Sequence, residues 1–211
     1  AVVFTASMSC IWADTASSEL SGAIVFFTSP SEEMYTDGVG GEGQLRLWLD
    51  KNVGLAFAVG TADWDVERTV RVADNFGSGQ LDASGNVTLI PLGGSVLVRS
   101  AGEAAHVVLE AGLRYVVVES DVNMLFTIRD AHGRVTDTIM DEEEIEDGIV
   151  AVVALDLNVK LADSVWLFGG VGYQADVSKG DTTSKLFDQD YGDGKNELAA
   201  VLLHGGLRIC F

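Results

Sequence analysis

The chain has 211 residues, a length that fits one domain, and an ordinary apolar fraction of 47%. Its formal net charge of −19 argues against nucleic acid and against an anionic membrane surface as partners, because both require clustered lysine and arginine. The longest apolar run is residues 148–155, far shorter than the roughly 20 residues of a membrane helix, so helical spans are excluded.

The N-terminal residues 1–18 allow two interpretations. Ala1–Ala13 resembles the end of a secretory signal, with the small residue Ala13 before Asp14. The same segment alternates, which is typical of a strand. One face would hold Val2, Phe4, Ala6, Met8, Cys10 and Trp12. Residues 1–18 are therefore a signal-peptide remnant or an extra strand, and residues 19–211 are predicted to form one β-barrel domain.

Eight segments follow in which apolar residues recur at every second position, the pattern of strands with one buried face. They are Leu20–Thr28, Val39–Leu49, Val53–Asp63, Val87–Arg99, His106–Glu119, Ile149–Lys160, Val165–Asp176 and Glu197–Phe211. Pro91 predicts a bulge or local break in the fourth strand, because proline cannot donate a hydrogen bond to a neighbouring strand.

The connections between these strands alternate in length. Short turns are predicted at residues 50–52, 100–104 and 161–163, and long polar connections at residues 29–38, 64–85, 120–147 and 177–196. The third long connection is expected to contain its own hairpin at residues 130–133. Bacterial outer-membrane barrels have an even strand number and place short turns and long loops at opposite ends. The sequence thus predicts an all-β, eight-stranded antiparallel up-and-down β-barrel with four long loops at one end and three short turns at the other.

The two faces of the predicted strands differ in chemistry. Outward positions are expected to hold Leu109, Leu113, Val153, Leu157, Leu203 and Leu207. The opposite face predicts a polar network in the barrel interior, formed by Glu42, Arg46, Glu110, Arg114, Asp156 and Arg208. Eight strands enclose a space that side chains just fill, and buried charges must be paired. We therefore expect a plug of ion pairs and hydrogen bonds, not an open pore.

Several stretches resemble the small outer-membrane β-barrel family of the OmpA and OmpW types. They read GVGGEGQLRLWLDKNVGLAFAVG at Gly38–Gly60, HVVLEAGLRYVVV at His106–Val118 and VWLFGGVGYQADVSKGD at Val165–Asp181. The end of the chain, Leu198–Phe211, resembles the closing strand of that family. The resemblance implies a bacterial outer-membrane location, lipid as the surrounding partner, and recognition of Phe211 as an assembly signal by the barrel-assembly machinery.

Catalytic and metal sites have little support. His204 precedes Gly205 and Gly206, so it lacks the serine two residues on that lipid A deacylase barrels pair with histidine. No enzyme activity and no cofactor are therefore expected. Acidic side chains could bind Ca²⁺ through oxygen ligands, although a solvated acidic loop explains them as well. The candidate ligands are Asp141, Glu142, Glu143, Glu144, Asp188, Asp190 and Asp193. No EF-hand spacing supports them, since Gly192 occupies a ligand position.

Two functions follow from this pattern. The first is a non-enzymatic bacterial outer-membrane barrel with a plugged polar interior and acidic surface loops, structural or surface-binding. The alternative is a self-assembling subunit of an extracellular tube or filament, in which barrels join neighbouring copies through the N-terminal segment. The first and last strands of a barrel are neighbours, so a disulfide between Cys10 and Cys210 is possible, as are two free thiols.

Overall fold

The fold is known from a computed structural model, which describes residues 17–28, 38–73, 77–145, 147–178, 181–184, 190–195 and 198–211. The strands are β1 (Ser17–Thr28), β2 (Gly38–Trp48), β3 (Val53–Ala73), β4 (Gly77–Arg99), β5 (Ala105–Asp130), β6 (Val135–Ile145), β7 (Gly148–Ala162), β8 (Val165–Ser178), β9 (Asp181–Ser184), β10 (Asp190–Lys195) and β11 (Ala200–Cys210). Within the described residues, no helix is long and apolar enough to cross a membrane.

Eight of these strands form a closed antiparallel ring. Each of β1 to β5 pairs with the next, β5 also pairs with β7, and β8 and β11 complete the order before β11 returns to β1. Along the closing seam β1 pairs with β11 over ten residues, from Glu19–Cys210 to Thr28–Val201. Two backbone hydrogen bonds extend this pairing beyond Glu19: Ser18 N donates to Phe211 O at 3.2 Å, and Phe211 N donates to Ser18 O at 3.0 Å. The predicted eight-stranded barrel is confirmed.

Three short turns lie at one end of the ring, next to Ser17 and Phe211, and we call it the turn end. In the turn after β2, Asp50 Oδ1 accepts hydrogen bonds from the backbone N–H groups of Asn52 (2.6 Å) and Val53 (2.7 Å). These two bonds favour the carboxylate and hold the pKa of Asp50 below its usual value. Asn52 Nδ2 also donates to Arg99 O at 2.8 Å, which ties this turn to the end of β4.

The opposite end, which we call the loop end, differs from the expectation. Residues 64–85 and 120–147 were predicted as loops, but β3 continues to Ala73, β4 begins at Gly77, β5 continues to Asp130 and β6 follows. The loop prediction was wrong because polar residues dominate there and obscure a continuing alternation, as in Trp64, Asp65, Val66 and Glu67. The hairpin at residues 130–133 is confirmed, with Gly133 at a φ of 79° and the N–H groups of His132 and Arg134 bonded to Asp130 Oδ1.

The extended strands form a single-layer sheet beyond the ring, which we call the wall. It comprises residues 63–73 of β3, 77–88 of β4, 119–130 of β5 and all of β6, with β9 and β10 added along its β6 side. β5 pairs with β7 up to Val116 and with β6 from Val122 onward, so the sheet divides between these residues.

Asp147 lies where the sheet divides. Its carboxylate accepts hydrogen bonds from the Tyr115 hydroxyl at 2.5 Å and from Val118 N at 2.9 Å. Both bonds stabilise the charged form of the carboxylate. This contact joins the start of β7 to the part of β5 from which the wall rises.

Pro91 disturbs the pairing of β4 with its neighbouring strands less than the sequence predicts. The pairing of β3 with β4 is interrupted only between Val59–Leu92 and Ala62–Leu89, and the register is the same on both sides of the gap. A local break is therefore present, but no residue is inserted and no bulge forms. Pro91 still faces Val116 in an uninterrupted register with β5.

The ring interior contains three layers. An apolar cluster of Trp48, Ala56, Leu97 and Val108 lies near the turn end. A larger apolar cluster, which includes Phe27, Trp64, Leu89, Val150 and Leu202, fills the half toward the loop end. Polar side chains occupy the level between them. The expected polar plug thus fills only part of the interior, because inward positions near the loop end are apolar as well.

Close packing of neighbouring strands limits side-chain size at some inward positions. A Cβ atom at Gly206 would overlap the backbone carbonyl oxygen of Gly22 on β1, an atom that cannot move without displacing the strand. On the outward side of the same pair of strands, a Cβ at Gly22 would meet no atom within 4 Å. Glycine at position 206 therefore allows β11 and β1 to approach closely at the barrel seam.

Candidate functional site: the interior polar belt

The polar level of the interior, which we call the polar belt, is built from alternate residues of six strands. Each of these residues is inward-facing because side chains on a strand point to opposite faces in turn. The belt contains Glu19 and Ser21 of β1, Glu42, Gln44 and Arg46 of β2, Ser95 and Arg99 of β4, Glu110 and Arg114 of β5, Asp156 and Asn158 of β7, and His204 and Arg208 of β11. The structure brings all six residues of the predicted network into this layer.

Asp156 is the centre of the belt, with only 1% of its surface exposed. Its Oδ2 accepts a hydrogen bond from Arg46 Nη2 at 2.6 Å, and Arg208 Nη2 lies 3.6 Å from the same oxygen. Its Oδ1 lies 2.6 Å from His204 Nε2. One carboxylate on β7 thus links a guanidinium from β2 to two side chains of β11.

A second group centres on Glu110. Gln44 Nε2 donates to Glu110 Oε2 at 2.9 Å, and Ser95 Oγ donates to Oε1 at 2.8 Å. Arg114 Nη2 lies 3.6 Å from Glu110 Oε1, and the same guanidinium forms a two-pronged ion pair with Glu42. Because Arg46 Nη2 is also 3.5 Å from Glu110 Oε2, this group and the Asp156 group form one network.

A third group lies toward the turn end. Glu19 is 3.5 Å from Arg208 Nε and 3.6 Å from Arg99 Nη1. The Arg99 guanidinium also lies 4.1 Å from the ring centroid of Trp48, and Arg208 lies 4.5 Å from that of Phe168, both cation–π contacts. Four carboxylates thus face four guanidinium groups, so the formal charges of the acids and the arginines in the belt are equal in number.

Glu19, Ser95 and Arg99 are among the members of these groups that sequence reasoning missed. Glu19 was omitted because the first strand was predicted to begin one residue later, although Glu19, Ser21 and Ala23 share a face. Arg99 and Ser95 share the inward face of β4 with Leu97, and that alternation could have identified them. Their partners lie on strands distant in sequence, so no sequence pattern reveals the pairing itself.

The belt leaves little free space. One cavity of about 20 Å³ lies among its side chains, bordered by Glu42, Arg46, Glu110, Arg114 and His204 together with apolar residues. A volume of this size holds about one water molecule. Packed apolar clusters lie on both sides of the belt. The described interior therefore offers a filled, ion-paired layer and no space for a substrate.

The three histidines occupy unrelated positions. His204 contacts Asp156 in the belt, and the His106 ring lies in a tilted contact with Trp166, with ring centroids 4.7 Å apart. His132 lies in the turn between β5 and β6. Within the described residues, the His204 ring bonds to the Asp156 carboxylate and not to a hydroxyl group. This is not the arrangement of a histidine-activated nucleophile.

The remaining candidate residues lie outside the belt. Asp141 and Glu142 are on β6, and Glu143 and Glu144 follow them in the same strand. Asp190 and Asp193 fall in β10, while Asp188 lies outside the described residues. No group of three or more His, Cys, Asp or Glu suited to a metal occurs in the part of the chain that is described. Calcium binding by these acids stays a prediction.

The two ends of the chain are described unequally. Phe211 points outward beside Ser18 and is 73% exposed. Residues 1–16, including Cys10, lie outside the described residues. The disulfide with Cys210 and the choice between a signal remnant and an extra strand stay predictions.

Removing the charge of Asp156 tests the network. Asp156→Asn keeps the side-chain size but leaves Arg46 and Arg208 without their shared carboxylate, which should lower the free energy of unfolding by about 3–5 kcal/mol. The control is Asp163→Asn, which removes the exposed 3.1 Å pair with Lys160 and should cost at most about 1 kcal/mol. Urea unfolding of both variants in lipid vesicles gives the comparison. Equal effects would show that the belt does not depend on this carboxylate.

No protein-family model matches the chain, and no curated protein matches it either. Matching solved structures include a major outer membrane protein from Thermus thermophilus, with a TM-score of 0.54, 14% identity, and coverage of 93% of this chain and 99% of that one. They also include the attachment invasion locus protein Ail of Yersinia pestis (TM-score 0.46, 9% identity, coverage 93% and 97%) and Neisserial surface protein A (0.45, 13%, 93% and 97%). Identities this low indicate fold alone, and of these three only the Thermus protein scores above 0.5. The chain has the fold of the small eight-stranded outer-membrane β-barrels.

Proposed function

We propose that this chain is a non-enzymatic barrel of the bacterial outer membrane, with a closed interior, that serves as a structural or surface-binding protein. The observation that supports this most directly is the apolar outer surface of the ring. On β5 the outward residues Val107, Leu109, Ala111, Leu113 and Tyr115 are all exposed. The same is true of the outward leucines and valines of β7 and β11. Water would make such a surface costly, whereas lipid would not.

The height of this apolar surface matches a bilayer. From Val107 to Val117 the chain advances ten residues, about 33 Å at roughly 3.3 Å per residue. A strand tilt of about 40° reduces this to about 25 Å along the barrel axis, the height of the apolar band in outer-membrane barrels. The outward residues Tyr115 and Tyr173 also fit the interfacial position that tyrosine favours.

The apolar surface ends at one level across three strands. Asp63 of β3 faces Thr88 of β4, which faces Glu119 of β5, and Thr88 Oγ1 donates to Asp63 Oδ1 at 2.8 Å. Beyond this row the outward face of the wall is polar, including Asp65, Asp82 and Asp121. A sharp change from apolar to acidic at a common height supports a membrane boundary there, with the wall in water.

The interior supports a closed barrel. An ion-paired belt lies beside two packed apolar clusters, and the cavity in it holds about one water molecule. Ion passage would require both the belt and an apolar cluster to open. We therefore assign function to the outer parts of the molecule: the lipid-facing surface for anchoring and the wall for contacts outside the bilayer.

We further propose that Phe211 is the signal by which the barrel-assembly machinery recognises the last strand. Its side chain is exposed on the outward face, while its backbone alone makes the two hydrogen bonds to Ser18. The side chain is therefore available for recognition and is not needed to close the seam.

The alternative, a subunit that joins copies through residues 1–13, has no support from the described part of the chain, since that segment lies outside it. Self-assembly stays a prediction, as does a role of the acidic residues in calcium binding. Neither is required by the outer-membrane proposal.

An arginine on the apolar surface tests the lipid contact. Leu113 is 55% exposed near the middle of the proposed membrane band, so Leu113→Arg should lower the free energy of unfolding in lipid vesicles by about 2–4 kcal/mol. The matched control, Asn123→Arg, lies on the same face of β5 above the boundary and should change it by about 0.5 kcal/mol or less. If the two variants cost the same, lipid does not surround Leu113 and the proposal is wrong.

Removing the terminal ring tests the assembly signal. Phe211→Ala should refold in vitro as stably as Phe26→Ala, another exposed phenylalanine on the apolar surface. In cells, the amount of folded barrel in the outer membrane should fall well below that of the Phe26→Ala control, because only Phe211 is proposed to be recognised. Comparison of folded and unfolded bands on unheated gels of membrane fractions measures this. Equal yields of the two variants would contradict the role of Phe211.

A further inference from the structure

The wall has a strand edge on its β6 side. Among the described residues, β9 pairs only with Glu143, Glu144 and Ile145 of β6, so residues 137–142 have β5 as their one strand neighbour. The backbone groups of these residues that face away from β5 point toward the open side of the strand. An edge of this kind accepts strands from other chains unless the protein protects it.

The hydrogen bonds of β5 show which way its backbone groups point. Asp130 N donates to Arg134 O in the hairpin, and Val118 N donates to Asp147 where the sheet divides. Both acceptors lie on the side of β6 and β7, so the even-numbered residues of β5 direct their N–H groups to that side. Because the direction alternates along an antiparallel strand, the odd-numbered residues direct theirs toward β4. A β6 residue that pairs with an odd-numbered residue of β5 therefore points its N–H group to the open edge.

Two such N–H groups of β6 are capped by the acid that precedes each of them. Thr138 and Glu142 both pair with odd-numbered residues of β5, so their N–H groups point to the open edge. Thr138 N donates to Asp137 Oδ1 at 2.8 Å, and Glu142 N donates to Asp141 Oδ1 at 2.9 Å. At both positions a carboxylate oxygen occupies the place that a carbonyl oxygen of an added strand would need.

The composition of this edge explains why it needs protection. Residues 135–140 read Val-Thr-Asp-Thr-Ile-Met, in which Asp137 is the one charged residue. Met140 is 74% exposed. Runs of β-branched and apolar residues with little charge favour pairing with other strands, and a charged residue within the run counters that tendency. The sequence and the capping bonds thus indicate the same role for Asp137.

A neighbouring copy offers a strand of matching direction. Beyond Asp63, β3 pairs with β4 alone among the described residues, so it forms the opposite edge of the wall. Thr69 directs its N–H group to this edge, because Asp82 opposite it faces β5. β3 runs away from the ring and β6 runs back toward it, so β6 of one copy is antiparallel to β3 of a second copy in the same membrane. Contacts between two different surfaces can continue from copy to copy.

We propose that Asp137 and Asp141 prevent this contact: their carboxylates cap the edge N–H groups of β6 and keep it from pairing with β3 of a neighbouring copy. The inference rests on the proposed function, because it requires the walls of several copies to stand in water on one side of a membrane. It assigns Asp141, a candidate calcium ligand, a role that needs no metal. The essential property is the acceptor oxygen and not the charge, so the two contributions are separable by asparagine, whose amide oxygen also accepts a hydrogen bond.

The test measures energy transfer between donor-labelled and acceptor-labelled copies of the full chain in phosphatidylcholine vesicles. The wild type should show only the transfer of randomly placed monomers. Asp137→Ala combined with Asp141→Ala should associate about tenfold or more tightly, because two edge N–H groups lose their caps. Asp137→Asn combined with Asp141→Asn loses the same two charges but keeps both acceptor oxygens, so it should stay monomeric. The single variant Asp137→Ala should give an intermediate effect.

Two further variants test the specificity of the contact. Glu119→Gln combined with Asp121→Asn removes two charges from β5, which is not an edge strand there, and should leave the chain monomeric. Thr69→Pro removes an N–H group from the open edge of β3, a position where proline is tolerated, so adding it to the double alanine variant should abolish association.

Three results would overturn the proposal: association of the wild type through the wall, a monomeric double alanine variant, or equal association of the alanine and asparagine variants. Association that survives Thr69→Pro would overturn β3 as the partner strand. Each of these results would be obtained with the barrel inserted in the vesicles, so each would leave the outer-membrane proposal standing.

Discussion

Closing eight strands into a ring leaves an interior only as wide as the side chains that fill it. Each strand must then present one face to that narrow space and the other to the surroundings, so every inward residue needs a partner within the ring. In this protein the inward carboxylates and guanidinium groups meet this condition by pairing across the barrel, with Asp156 bound to Arg46 and His204 at 2.6 Å each. The apolar exterior, the absence of a pore among the described residues and the position of the wall all follow from the same division of faces.

Burying four acids with four arginines is costly, because each ion loses its hydration. In return, the belt makes the register of the strands specific. A slip of one residue in any strand would move its charged residues to the lipid side and its leucines into the interior. Glu110 and Arg114 on β5, for example, alternate with Leu109 and Leu113. The charged belt and the apolar exterior thus define the same register from opposite sides, and the apolar clusters above and below the belt keep water away from it.

The strands, their order and their orientation could be predicted because alternation is visible in a single sequence. The leucines and valines predicted to face outward, such as Leu203 and Leu207, are exposed in the structure. The wall was missed because its polar face outweighs its apolar face, and a strand with few apolar residues resembles a loop. The apolar layer near the loop end was missed for the opposite reason: Val150 and Val152 lie in a run that is apolar on both faces, so the run itself does not distinguish interior from lipid.

The contacts within the belt could not be predicted at all. Asp156 and His204 are on strands separated by β8, and their contact depends on how far each strand is displaced along its neighbours. The tryptophans show how position along the strand decides location. Trp48 and Trp64 both fall on the inward face of their strands and are buried in the interior, where Trp64 packs edge-to-face on Phe27.

The central claim is that the outward face of the ring contacts lipid up to the level of Glu119 and water beyond it. Spin labels placed singly along β5 from Val107 to Thr127, with accessibility to oxygen and to a water-soluble nickel complex measured in vesicles, test it most directly. The account predicts that oxygen reaches the odd-numbered positions up to 117, that neither reagent reaches the even-numbered ones there, and that the nickel complex reaches odd positions from 119 onward. Nickel accessibility at positions 109 and 113 equal to that at 123 would contradict the account.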